Sequence, residues 1–473
     1  MIRFGTGGWR AIIGEDFIRD NVILLTHAVA QDLIARGQQH RPFVIGYDRR
    51  FLSERAVRWM AEVLCADGIP VEVLDRVAPT PEIMFTVKAH GGYYGAAITA
   101  SHNPAVYNGI KLFMEGGRDM DADTTGAIEA RIDALAGQRV PTVDYEQGVA
   151  DGRIKVINPQ NDYLDAILAL VDTDVIRAKG PRILLDPMFG VSRTCLQTIL
   201  LTARCDVDII NDRRDTLFGG RLPSPTAATL YTLSRMVKEE GYDLGLGTDG
   251  DADRIGLVDE QGNFIHPNDI LCLLTYYLLG FKGWKGDVVR NLATTHRLDR
   301  LAAHYGQTCH EVPVGFKHIS SGMARFDAVI GGESSGGLTI RGHIPGKDGI
   351  FAAALLVEMI CATGRTLSQI LADIDQLVGR SYVCETEAVM TPQLKGHLQA
   401  RLAGGEVPDF GREVDRVRSD DGIKVYFKDG GWVLARFSGT EPLLRLVAEM
   451  GAQAEADQVC AQWAQALGLE VAS

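Results

Sequence analysis

The run Tyr93-Tyr94-Gly95-Ala96-Ala97-Ile98-Thr99-Ala100-Ser101-His102-Asn103-Pro104 sets an apolar, β-rich segment directly against a polar turn. Asn103-Pro104 is turn chemistry that stops a helix, so Ser101 is expected at a strand end, its hydroxyl open to a substrate and the His102 imidazole beside it. A hydroxyl so placed suggests a serine that carries phosphate. In isolation the same residues fit an ordinary turn capped by Ser and Asn side chains, and the rest of the chain must separate the two readings.

Outward from this loop, short strand candidates alternate with helix candidates, the pattern of α/β layers. Residues 43–47 and 71–74 read as strands around a helix at 53–66 that has a Ser N-cap and Glu54 in its first turn. After turn-rich sequence at 136–158, strands are expected at 182–185 and 207–210, with helices at 193–201 and 227–240. A third unit carries helices at 268–278, 351–361 and 367–378 and a strand at 288–291. The last part alternates strands at 422–427, 432–436 and 443–448 before a helix at 454–466. The expected fold is α/β: three consecutive mixed α/β domains at 1–153, 154–260 and 261–380, then a smaller α+β domain at 381–473. Three successive units of similar size are also compatible with an old duplication.

Composition agrees with several buried cores. The chain has 473 residues, 46% hydrophobic and 23% charged, enough for roughly three or four domains. Lys and Arg number 48 against 61 Asp and Glu, a net charge of -13, which argues against a nucleic-acid surface and requires any anionic ligand to meet a local basic pocket. The eight cysteines, at 65, 195, 205, 272, 309, 361, 384 and 460, form no Cys-x-x-Cys pair and read as buried thiols in a reducing compartment. No signal-like start and no apolar run near the ~20 residues of a membrane span is present. The chain is expected to be cytoplasmic, with no membrane partner.

Asp249-Gly250-Asp251-Ala252-Asp253-Arg254 lies between strand candidates at 243–247 and 255–258. Alternate side chains of an extended loop share one side, so the three carboxylates can converge on one hard cation, magnesium if phosphate completes the shell. An EF-hand is rejected, because Arg254 stands where its turn needs Gly and strands flank the loop. Gly331-Gly332-Glu333-Ser334-Ser335-Gly336-Gly337 offers a carboxylate, two hydroxyls and close backbone approach, a composition suited to a sugar. Arg436-Phe437-Ser438-Gly439-Thr440-Glu441-Pro442, with Arg445 behind it, offers cations, hydroxyls and N–H groups in a tight curve, suited to a phosphate without the P-loop spacing. Gly5-Thr6-Gly7-Gly8-Trp9-Arg10 adds a further cation on a glycine-rich loop, and Lys111 is placed to assist a reacting hydroxyl. Each of these also has a plain reading as a turn or a solvated surface group.

Together, in this order, the four loops resemble the α-D-phosphohexomutase family, the phosphoglucomutase and phosphomannomutase group, from Phe4 to Arg445. The resemblance implies four domains around a central cleft. It implies that Ser101 is phosphorylated, that its phosphate joins Asp249, Asp251 and Asp253 around Mg2+, and that Lys111 is the candidate general base. His102, Arg10 and Arg254 then surround the phosphoserine. Glu333 and Ser335 contact sugar hydroxyls, Lys317 and His318 fall in the substrate-reading loop, and Lys347 lies near the sugar 1-phosphate end. Arg436, Ser438, Gly439, Thr440 and Arg445 take the distal phosphate. The implied partners are small-molecule hexose phosphates, with a hexose 1,6-bisphosphate as primer; the oligomeric state stays open. One departure, Gly336-Gly337 where many relatives using mannose or glucosamine phosphates end in Gly-His, speaks against a mannose or glucosamine specialist and for glucose 1-phosphate, with a phosphomannomutase or a dual-specificity phosphoglucomutase/phosphomannomutase as the alternative. Two rivals are a haloacid dehalogenase-type enzyme with an Asp nucleophile, which leaves Ser101 without a role, and a non-catalytic sugar-phosphate sensor, which needs neither Ser101 nor three metal ligands.

Overall fold

The computed structural model describes residues 2–5, 7–391, 394–396, 398, 407–437 and 443–469. Its first three sheets repeat one plan. In the first, Phe43–Tyr47 lies parallel between Val71–Leu74 and Tyr94–Ile98, and Tyr94–Ile98 turns back into antiparallel Tyr107–Met114. In the second, Arg182–Asp186 lies parallel between Asp206–Ile209 and Leu244–Thr248, which turns back into Ile255–Val258. In the third, Val288–Asn291 lies parallel between Cys309–Val312 and Ile330–Gly332, which turns back into Leu338–Ile340. The reversals at Ile98, Thr248 and Gly332 thus fall at the carboxyl ends of parallel strands, where open α/β sheets bind ligands. They hold Ser101, the Asp249–Asp253 carboxylates and Glu333.

These strands are covered on both faces by helices, so they read as nearly unbroken runs of apolar and small residues. Tyr94–Ile98 and Leu244–Thr248 are buried throughout. Two sheets run past the residues at which boundaries are expected. Ile154–Ile157 pairs in parallel with Val71–Leu74 and so completes the first sheet beyond 153. Its alternation is too weak to show in sequence, since Lys155 and Val156 are exposed. The turn-rich stretch before it also holds the helix Tyr145–Ala150. Phe264–Ile265 pairs with Ile255–Val258, so the second sheet extends past 260. The helix expected from 227 begins at Tyr231, because Thr226 and Thr229 hydroxyls bond to neighbouring backbone and replace its first turn.

The fourth sheet is wholly antiparallel, in the order Tyr382–Val389, Leu443–Met450, Trp432–Phe437, Ile423–Phe427, Val414–Arg418. Helix Gln453–Ala466 packs on it through Val459, Cys460 and Trp463. The strands at 382–389 and 414–418 escape the sequence reading; most of their side chains are not buried, so no continuous apolar run marks them. The second and third units share one core, organised around helix Gly349–Thr363, which is buried on nearly every side. The first and fourth units have their own cores. Among the described residues no single helix is long and apolar enough to cross a membrane.

Candidate active site

Ser101 is fully buried and sits at φ +53°, the left-handed region. Its amide donates to Thr99 Oγ1 at 2.8 Å, and its Oγ donates to Asp249 Oδ2 at 2.8 Å. The loop that follows Tyr94–Ile98 therefore aims the hydroxyl across the first-to-second domain boundary. Gly250 permits this approach: a Cβ there would lie 2.8 Å from the Ser101 carbonyl oxygen. His102 Nδ1 stands 3.4 Å from Ser101 Oγ. Burial, then the charges of Arg254 and Arg10, hold His102 far below the ordinary imidazole value, so its ring is neutral. Arg10 Nη1 donates to Asn103 Oδ1, which ties the N-terminal glycine loop to this turn.

The three carboxylates converge as the alternation requires. Asp249, Asp251 and Asp253 are buried, and their ligand oxygens lie within 4.8 Å of one another. Lys111 Nζ donates to Asp251 Oδ2 and to Asp253 Oδ2, each at 2.6 Å, while Lys347 Nζ lies 2.7 Å from Asp253 Oδ2. Burial and the two neighbouring carboxylates raise Asp249 well above the usual carboxylate range. Burial pushes Asp253 the same way, but Lys111, Lys347 and Arg254 outweigh it and bring the group well below that range. For Lys111, burial disfavours the charge and the two carboxylates overcome it, raising its pKa. In this arrangement Lys111 is a charge partner, and acting as a base requires that the hold of both carboxylates be relaxed.

Whether the trio suits a metal is answered by its leftover atoms. Asp251 Oδ1 and Asp253 Oδ1 are buried without a hydrogen-bond partner, and so is Arg254 Nε. An all-oxygen set with two unsatisfied carboxylate atoms fits a hard divalent cation. The unsatisfied guanidinium nitrogen beside it, 3.9 Å from Asp253 Oδ1, fits a phosphoryl oxygen.

Across the cleft, Glu333 Oε1 accepts from Asn291 Nδ2 at 3.0 Å and from the Gly315 amide at 3.1 Å. That fixes the carboxylate against Gly315, which caps the helix Phe316–Arg325; Lys317 and His318 stand in the first turn of this helix and not on a loop. The Glu333–Gly337 turn is closed by Glu333 N to Gly337 O at 3.0 Å, with Ser335 exposed on it. Lys347 crosses Gly337, whose Cβ would lie 2.4 Å from Lys347 Cδ, and its ammonium sits 5.7 Å from the Phe316 ring centre. Burial, then Lys317, lowers the His318 pKa. From the fourth sheet, Arg436 Nε pairs with Asp421 Oδ1 at 2.7 Å, and Asp421 Oδ2 accepts the Val314 amide at 2.7 Å. Arg445 Nε lies 2.8 Å from Glu387 Oε1. Ser438, Gly439 and Thr440 lie outside the described residues.

Several residues of the site are missing from the sequence reading. Thr80 donates its hydroxyl to Asp251 Oδ2 at 2.6 Å and its amide to the Asp251 carbonyl at 2.9 Å. Arg50 donates to the Ser101 carbonyl at 2.6 Å, and Asp48 accepts the Thr99 hydroxyl at 2.7 Å. Thr294 accepts the Ser334 amide at 3.2 Å. Asp48 and Arg50 follow the parallel strand Phe43–Tyr47, so position at a strand's carboxyl end was the available signal.

Cations gathered round a serine hydroxyl and an all-oxygen pocket define the class: an enzyme that moves phosphoryl groups. The comparisons narrow it. Residues 1–139, 161–262, 266–377 and 395–466 match, in turn, the phosphoglucomutase/phosphomannomutase α/β/α domains I, II and III and the C-terminal domain. The chain is 31% identical over 457 residues to a protein of Methanopyrus kandleri named as a probable phosphoglucosamine mutase, covering 96% of this chain and 95% of that one. It is 29% identical over 455 residues to the phosphoglucomutase/phosphomannomutase of Thermococcus kodakarensis, covering 96% and 95%. A family protein of Burkholderia thailandensis shares the fold with a TM-score of 0.83 at 22% identity, covering all of both chains. The chain belongs to the phosphoglucomutase/phosphomannomutase family and is a mutase, an isomerase that acts by phosphoryl transfer.

Proposed function

We propose that this mutase interconverts α-D-glucose 1-phosphate and glucose 6-phosphate, with Ser101 as the phosphoryl carrier. The observation that carries the reading is the 2.8 Å bond from Ser101 Oγ to Asp249, made beside two carboxylate oxygens that have no partner. Phospho-Ser101 gives its phosphoryl group to a sugar hydroxyl: the new P–O bond forms to the sugar oxygen, the bond to Oγ breaks, and the hydroxyl proton leaves to a base. The resulting 1,6-bisphosphate turns round, and its other phosphoryl group returns to Oγ. Free bisphosphate primes an enzyme that has lost its phosphate.

Arg10 and Arg254 face the transferring group; Lys111, once Asp251 and Asp253 relax their hold, is the candidate base, and the neutral His102 ring lies beside Ser101 Oγ. Asp249, Asp251 and Asp253, with an oxygen of the phosphoserine, would hold Mg2+, which supplies charge neutralisation when bound. Glu333 and Ser335 meet sugar hydroxyls, while Arg436, Arg445 and the 438–440 loop hold the phosphate that is not reacting. Small hexose phosphates are the only partners required. Eight unpaired thiols support a reducing, cytoplasmic setting.

Glucose is favoured over glucosamine because the turn after Glu333 ends in Gly336-Gly337, where many relatives that use mannose or glucosamine phosphates end in Gly-His. The names of relatives such as the Methanopyrus kandleri protein favour the glucosamine reading instead. Measuring kcat/KM for glucose, mannose and glucosamine 1-phosphates, each with a trace of bisphosphate, decides between them. The largest value is expected for glucose; a mannose or glucosamine value equal to or above it would overturn the glucose assignment and leave the mutase mechanism standing.

A further inference from the structure

Arg50 is buried, and its guanidinium gathers the whole phosphoserine loop from behind. Nη2 donates to the carbonyls of Ser101 at 2.6 Å and Asn103 at 2.7 Å; Nη1 donates to those of Pro104 at 2.9 Å and Tyr107 at 3.0 Å. Nε lies 3.3 Å from Asp48 Oδ2, and the ring of Phe218, from the second unit, stacks 4.8 Å from the guanidinium carbon. The same Asp48 carboxylate accepts the Thr99 hydroxyl at 2.7 Å, and that hydroxyl accepts the Ser101 amide at 2.8 Å. Both flanks of Ser101 are therefore pinned: its amide through Thr99, its carbonyl by Arg50.

Pinning is needed because Ser101 occupies left-handed backbone at φ +53°, a conformation that a residue with a side chain keeps only where its surroundings over-determine it. We propose that Arg50 is the positioning residue of the phosphoryl carrier, holding Ser101 in the strained conformation that aims Oγ at Asp249. The proposal deepens the mutase reading and rests on it. Both terminal nitrogens of Arg50 are engaged by backbone carbonyls, so its effect reaches the reaction only through the loop. Lysine cannot replace it, since one ammonium lacks the planar fork that spans four carbonyls. Formation of the arrangement also requires the second unit, which supplies Phe218 beneath the guanidinium and a bare Gly250 beside the Ser101 carbonyl.

The test uses full-length Arg50→Lys and Arg50→Met beside wild type, with circular dichroism, steady-state kinetics on the preferred hexose 1-phosphate, and intact mass to follow phosphoserine formation from glucose 1,6-bisphosphate. Displacing a reacting atom by about 1 Å costs roughly a hundredfold. Arg50→Lys is expected to fold, to lose about tenfold or more in kcat with KM little changed, and to acquire phosphate more slowly in proportion. Arg50→Met should lose more. If Arg50→Met does not fold, Arg50→Lys decides alone. Ser53→Ala, which removes a different hydrogen bond to Asp48, at 3.0 Å, should keep wild-type kcat. An Arg50→Lys enzyme with wild-type kcat and phosphorylation rate, a loss confined to KM, or an equal loss in Ser53→Ala would overturn the proposal. Failure of the mutase reading has a separate signature: wild type itself neither turns over nor acquires phosphate.

Discussion

Glu82 is buried in the helix Thr80–Ala89, with the Cys195 thiol donating to it at 3.4 Å, and burial lifts its carboxyl from 4.5 to about 7. Between those values the folded protein holds a proton that the unfolded chain has released, so its contribution to stability is complete below 4.5 and is lost as pH rises through about 7. Glu82→Gln removes the titration. It should stabilise the protein near pH 8 by up to about 3 kcal/mol and leave it unchanged near pH 4. Thermal melts across that range check this, and equal pH dependence in both proteins would contradict it. The same scale shows what sequence reveals of a site. Ser101, the three Asp residues and Glu333 are legible because chemistry-bearing types stand close together in short loops. Arg50, Asp48 and Thr80 are not, because each acts through residues far along the chain; Thr80 meets Asp251 across 171 positions.

The hairpin loop is the element that carries the candidate site. Three equivalent reversals bring the hydroxyl, the carboxylates and the Glu333 turn together; the first two strands are legible because full burial demands continuous apolar runs, whereas Ile330–Gly332 is hidden because two of its three residues are glycines that read as part of a loop. What stays hidden is the contact between loops. Gly250 in the second reversal lies against Ser101 in the first, and no local signal marks that glycine as different from its neighbours. Gly250→Ala should push the Ser101 backbone away and lower kcat by roughly ten- to a hundredfold, with the protein still folded by circular dichroism. Wild-type kcat in this variant would show that the two loops are not in register. The edge strand Ile154–Ile157 marks the opposite limit, since two of its four residues face solvent and its membership of the first sheet is fixed by pairing alone.

At the scale of the whole molecule, the four-unit plan follows from alternating strands and helices, whereas the core shared by the second and third units depends on long-range packing that periodicity does not encode. The fourth unit joins the third through a small apolar cluster and a buried charge network. Lys424 donates to the Leu292 carbonyl at 2.6 Å and to Glu311 at 2.8 Å, and Arg290 meets the same Glu311 oxygen at 2.5 Å. Glu311→Gln leaves buried Lys424 without its carboxylate, while Arg290 keeps Asp299, at a cost of about 3 kcal/mol, and calorimetry should show a lower Tm. An unchanged melt would mean that the network does not hold the fourth unit. In the proposed mechanism these interfaces serve to bring sugar and phosphate to Ser101. The most direct measurement is therefore peptide mapping after exposure to glucose 1,6-bisphosphate: wild type should carry one phosphoryl group on Ser101, and Ser101→Ala should carry none and lose turnover by several orders of magnitude. Phosphate on another residue, or near-normal turnover without Ser101, would contradict the mechanism.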